Sequence, residues 1–130
     1  MIQTENVPCP CGSELAYGQC CGPLHQSKKA ENAEQLMRSR YSAFVMQNTD
    51  YLRRTWHEST RPSQDDLAAD PKTKWLGLEV RQHRSIDENE AEVEFVARYK
   101  INGRAHRLHE TSQFVKENGQ WFYLRGQIHE

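Results

Sequence analysis

Apolar positions along this chain follow two different periods, and the change comes near its middle. From Ala33 onward, Leu36, Met37, Arg40, Tyr41, Phe44 and Val45 recur three and four residues apart, which predicts one amphipathic helix over 33–47. Asn48 or Thr49 then offers a cap for a second, shorter helix carrying Tyr51, Leu52 and Trp56. Residues 61–74 hold Pro62 and Pro71 and read as loop, with one helical turn around 65–69. Beyond them the spacing shortens to two, predicting strands over 75–82, 91–101, 105–116 and 121–128. Asn102-Gly103 and Asn118-Gly119 each separate two of these runs, and Asn-Gly tolerates the positive φ angles of a two-residue type I′ turn. Helices followed by an antiparallel meander make the fold class α+β.

The turns also set a register. With Asn102 and Gly103 at the tip, Ile101 faces Arg104, Tyr99 faces His106, Ala97 faces Leu108 and Phe95 faces Glu110. The second turn places Phe114 opposite Tyr123 and Ser112 opposite Arg125, unless a bulge intervenes. One face of the meander is therefore apolar and aromatic, with His106, Glu110, Ser112 and Arg125 set into it, and helix 33–47 should cover it. Arg40 lies within that helix's apolar stripe. A buried arginine requires a partner, and Glu110 is the carboxylate chosen for it. The pairing has two readings: an ion pair locking helix to sheet, which is favoured, or the polar end of a cavity lined by Trp56, His57, Tyr99 and Tyr123. His106 and His109 are three apart on one strand and so point to opposite faces, which rejects them as a metal pair.

Length and charge narrow the classes. At 130 residues there is room for one ordinary domain and a short appendage. A net charge of −1 gives no global attraction to nucleic acid or to an anionic membrane. No apolar run approaches the ~20 residues of a membrane span. The first residues lack the basic and apolar regions of a secretory signal, so a cytoplasmic location is expected.

All four cysteines lie between positions 9 and 21, as Cys9-Pro10-Cys11 and Cys20-Cys21. In a reducing compartment such clustering favours metal over disulfides, and two close pairs joined by a tight loop suit the closed tetrahedron of a structural zinc ion. His25 is a weaker candidate ligand, because four thiolates already complete the shell. A filled shell leaves no position for water, so catalysis at this metal is not expected.

Cys9-Pro10-Cys11-Gly12-Ser13, Tyr17 and Cys20-Cys21-Gly22 resemble the SEC-C motif, the zinc knuckle also found at the C-terminal end of the preprotein-translocase ATPase SecA. There it binds zinc and contacts partners, notably the chaperone SecB. The loop here is lysine-poor, with Glu14, Leu15, Ala16, Gly18 and Gln19, so the resemblance implies zinc but not that chaperone.

The whole chain resembles the YchJ-like family of bacterial proteins. Matching stretches are 33–44, Thr55-Trp56-His57, 93–99, His109-Glu110-Thr111-Ser112 and Trp121-Phe122-Tyr123. The resemblance implies a nuclear-transport-factor-2-like (NTF2-like) cone, a curved sheet wrapped around helices, and carries no catalytic set. The organisation expected is a knuckle over 1–24, a polar linker over 25–32 and the cone over 33–130. The preferred role is a non-enzymatic zinc protein that binds a protein partner through the knuckle. The alternative is a small-molecule binder or enzyme of isomerase, dehydratase or hydrolase type, using the cavity around Glu110. A homodimer scaffold is a third reading; no nucleic-acid or membrane partner is expected.

Overall fold

The computed structural model describes residues 7–63 and 72–129. A backbone bridge between Pro8 and Ala16 and a 3-10 turn at Tyr17–Gln19 lead into α1 (Cys21–Gln26), α2 (Ala33–Val45) and α3 (Thr49–Arg54). Four strands follow: β1 (Thr73–Asp87), β2 (Glu90–Ile101), β3 (Arg104–Glu117) and β4 (Gln120–Ile128). They form one antiparallel sheet in the order β1-β2-β3-β4. The helical turn expected around 65–69 lies outside the described residues.

Local chemistry accounts for the element ends. The Asn32 side chain accepts a hydrogen bond from Gln35 N at 2.8 Å, and Gln35 Oε1 accepts from Glu31 N at 2.7 Å, closing the start of α2. Asn48 caps α3 in the same way, accepting from Tyr51 N. Asn102, Gly103, Asn118 and Gly119 all have φ between 51° and 78°, as the two type I′ turns require.

The β2–β3 register is the expected one, with Ile101 opposite Arg104 and Phe95 opposite Glu110. The β3–β4 register starts as expected at Phe114 and Tyr123. A bulge between Gln113 and Phe114 then shifts the pairing, so that Gln113 meets Arg125 and Ser112 meets Gly126. Arg125 is consequently exposed rather than set into the inner face. Three further irregularities in β1 interrupt its pairing and bend the sheet edge.

α2 is buried on two sides. Leu36, Met37, Arg40 and Tyr41 turn to the sheet region, while Ser39, Ser42 and Ala43 are sealed under the other helices and the N-terminal segment. Cys9, Cys11 and Cys21 share one apolar cluster with Leu36, Met37, Tyr41, Phe95, Phe114 and Trp121. The linker expected over 25–32 is therefore shorter at its start, because residues 25 and 26 end α1. Composition made them look like linker, yet the imidazole of His25 is tied on both sides. Its Nε2 donates at 2.8 Å to the Ser39 carbonyl, which can only accept, so Nδ1 accepts a hydrogen bond from the Tyr17 hydroxyl at 2.6 Å. Arg54 Nη2 also donates to the His25 carbonyl at 2.6 Å. These bonds dock the N-terminal segment onto α2 and α3, and occupy the histidine named above as the weaker candidate ligand.

Candidate metal centre and cavity

The cysteine cluster is assembled by two short pieces of chain. Cys9 and Cys11 sit where the backbone turns, with Cys9 N donating to Leu15 O and Gly12 at a φ of 81°. Cys20 and Cys21 sit at the start of α1. Helix and turn can approach because Gly22 has no side chain: a Cβ there would lie 2.8 Å from the Tyr17 carbonyl oxygen. The four Sγ atoms lie within 4.8 Å of one another, and this set could hold a metal ion.

Hydroxyls from both sides reach the sulphurs. Ser42 on α2 donates to Cys21 Sγ at 3.3 Å and lies 3.5 Å from Cys9 Sγ, and Ser13 lies 3.0 Å from Cys20 Sγ. Arg38 donates to the Cys11 carbonyl at 2.9 Å while its Nε holds Glu34. Burial pushes the Cys20 thiol up to about 11, and its neighbouring sulphurs and burial push Cys21 up as well. Cys9 is driven down by accepting hydrogen bonds from Cys11 and Cys21. Four thiolates packed this closely need a bound cation to ionise together. Ser13 belonged to the recognised motif; Ser42 carried no such signal, since its role depends on how α2 meets the knuckle.

The second feature is a cavity of about 290 Å³ between α2 and the sheet, partly open to solvent. Its walls are Met37, Tyr41, Phe44, Trp75, Phe95, Ala97, Leu108 and Phe114, with Arg40, Trp56, Glu110, Ser112 and Tyr123 at polar or aromatic positions. Four of the six residues named from sequence thus meet: Arg40, Trp56, Glu110 and Tyr123. His57 does not, since its Nε2 pairs with Glu117 and its Nδ1 lies 2.7 Å from Ser59 Oγ on the outside. Tyr99 stacks on His106 with centroids 5.2 Å apart, near the exposed end of the β2–β3 hairpin. Met37, Phe44 and Trp75 were missed as lining; they looked like ordinary core.

Arg40 and Glu110 do not form the expected ion pair. Arg40 Nη1 donates instead to the Leu52 carbonyl at 2.8 Å and to Thr55 Oγ1 at 2.7 Å, closing the end of α3. Its guanidinium also lies 4.6 Å from the Tyr123 ring centre and 5.2 Å from that of Trp56. Burial pushes Arg40 down to about 10, against the pull of Tyr123, Tyr51 and Glu110, so it stays charged at neutral pH. Glu110 Oε2 accepts from Ser112 Oγ at 2.6 Å. The carboxylate sits over Gly126, where an added Cβ would lie 2.3 Å from Oε2. Burial, aided by Glu110, pushes the Tyr123 phenol up to about 12.

Among the described residues no helix is long and apolar enough to cross a membrane. Residues 32–126 match the family model described as "YchJ, middle NTF2-like domain", and residues 6–23 match the SEC-C motif. UPF0225 protein RSc0270 of Ralstonia nicotianae is 53% identical over 92% of this chain and 90% of its own length. UPF0225 protein Mpe_A2093 of Methylibium petroleiphilum is 56% identical over 94% of this chain and 89% of its own. Among solved structures, a SEC-C motif containing protein from Rhodopseudomonas palustris superposes with a TM-score of 0.86 at 34% identity, covering 95% of this chain and 100% of that one. The curved four-stranded sheet with its helices is thus an NTF2-like domain behind a cysteine-rich knuckle, and the chain belongs to the UPF0225 family.

Proposed function

We propose that this chain is a zinc-stabilised binding protein for a small, largely apolar molecule held between α2 and the sheet. The observation that carries the reading is a 290 Å³ cavity that admits a buried cation, Arg40, and a carboxylate, Glu110, without pairing them. A volume at the lower end of the range for ligand pockets, with aromatic walls and a few convergent polar groups, suits a compact ligand. Zinc fits the four-cysteine cluster. A tetrahedral thiolate shell at about 2.3 Å puts sulphurs about 3.8 Å apart, and Cys11–Cys20 and Cys20–Cys21 already stand at 3.5 and 3.9 Å. Bound there, it would neutralise the thiolates and fasten the knuckle to α2 beside Ser42. A closed four-thiolate shell would give it a structural role.

The test uses a neutral apolar dye, N-phenyl-1-naphthylamine, with Ala97→Phe, a substitution that fills the cavity from β2. Saturable fluorescence enhancement with the natural chain, weakened at least tenfold in Ala97→Phe, is expected. Zinc content and circular dichroism check that the variant folds. Equal enhancement by both proteins would place the dye elsewhere and overturn the reading.

A second reading gives the knuckle a protein partner. It is favoured by Val7 and Leu15, which are 42% and 50% exposed on the paired segments of the knuckle. Leu15→Asp would abolish such binding while leaving dye affinity unchanged; a purified partner retained by Leu15→Asp would exclude this surface.

A further inference from the structure

We infer that the ligand of this cavity carries a neutral head with an acceptor and a donor side by side, a carboxamide or lactam, on a one- or two-ring apolar body. This rests on the reading of the cavity as a binding site and specifies what that site selects. Arg40 is 5% exposed, and among the described residues its only hydrogen-bond acceptors are Leu52 O and Thr55 Oγ1, both on Nη1. No described carboxylate lies within ion-pair distance of it. A guanidinium has five N–H donors, so those on Nε and Nη2 have no acceptor among the described residues, and Arg40 lines the cavity. The rings of Tyr123 and Trp56 lie against it but accept no conventional hydrogen bond from it.

The acceptor side is Glu110. Ser112 donates to its Oε2, and Oε1 takes no hydrogen bond among the described residues. Tyr123 joins the two groups, because its ring lies beneath Arg40 and its hydroxyl end lies beside the Glu110 carboxylate over Gly126. Cation and anion therefore flank one aromatic ring at the same end of the cavity.

Head groups can be ranked against this pair. A carboxylate would satisfy Arg40 but bring a like charge toward Glu110 between largely apolar walls. An ammonium would satisfy Glu110 and oppose Arg40. A carboxamide directs its carbonyl oxygen to the guanidinium and its N–H to the free carboxylate oxygen, leaving neither charge unmatched. Phe44, Trp75, Phe95 and Leu108 supply the apolar walls for its ring.

Benzamide and benzoate differ only in this head, and ligand-observed NMR can compare their binding to the full zinc-loaded chain and to Glu110→Gln. Benzamide should bind the natural chain at least tenfold more tightly than benzoate. Glu110→Gln replaces an acceptor by a donor and should move that ratio at least tenfold toward benzoate. Equal binding, tighter benzoate, or a ratio unchanged in Glu110→Gln would overturn the inference. If the neutral dye binds while neither probe does, the inference falls and the cavity reading stands. Failure of dye and probes together removes both.

Discussion

Gly126 offers the sharpest test of how the cavity is built. Its backbone φ lies outside the left-handed region, so alanine can adopt the same conformation. What alanine cannot share is the space: its Cβ would lie 2.3 Å from Glu110 Oε2, 2.5 Å from Cδ and 2.9 Å from the Tyr123 hydroxyl. The Glu110 carboxylate must swing away, and the Ser112 hydrogen bond goes with it. A hydrogen bond to a charged group contributes about 1.5–3 kcal/mol. Replacing glycine restricts the unfolded chain and returns about 0.4–1 kcal/mol. Gly126→Ala should therefore destabilise by about 1–2 kcal/mol, which for a domain of this size lowers the melting temperature by roughly 3–8 °C. The same change in a Glu110→Ala background should be close to neutral, because the obstructing carboxylate is gone and the remaining 2.9 Å approach to the Tyr123 hydroxyl offsets the gain from the unfolded chain. Urea unfolding of the four proteins forms a double-mutant cycle. A coupling energy within about 0.5 kcal/mol of zero would refute the placement of Glu110 over this glycine.

Three further outcomes follow from other parts of the molecule. Because Cys9, Cys11 and Cys21 lie in the same apolar cluster as the sheet residues, metal removal should lower one cooperative transition of the whole chain by several kcal/mol. Two separate transitions, with the main one unmoved by chelator, would show that the knuckle is merely tethered. His25 is held below the usual histidine pKa by burial, with Arg54 adding to the effect. The folded form thus binds its proton less readily than the unfolded form, so this contribution is complete above about pH 6.5 and is lost as pH falls below it. Imidazole NMR should show the Nε2–H tautomer and a midpoint under 6.5; a midpoint at or above that value would contradict the packing described. Finally, Asn48→Ala removes the bond to Tyr51 N and should cost about 1 kcal/mol, read from the denaturant midpoint.

Much of this architecture was legible in the sequence. The helix around Leu36 and Phe44, both Asn-Gly hairpins, the β2–β3 register and the meeting of four cysteines rest on interactions a few residues long. Spacing, capping groups and turn conformations decide them before any distant segment is in place. Cysteine chemistry is similarly local, since two close pairs need only one tight loop to converge.

The rest depended on how remote elements meet. A bulge between Gln113 and Phe114 turned Arg125 outward and put Gly126 over Glu110, and no periodicity in β3 or β4 announces it. Arg40 was rightly placed in the buried stripe, but α3 presented the Leu52 carbonyl and the Thr55 hydroxyl to it, so the ion pair with Glu110 did not form. His57 left the cavity for Glu117, sixty residues on, and Ser42 joined the cysteines from a helix face that looked unremarkable. Hydrophobic period and turn chemistry are properties of short segments and survive in the sequence alone. The partner of a buried charge is chosen among groups brought close only by the completed fold, and at that level the tertiary structure decided what the cavity contains.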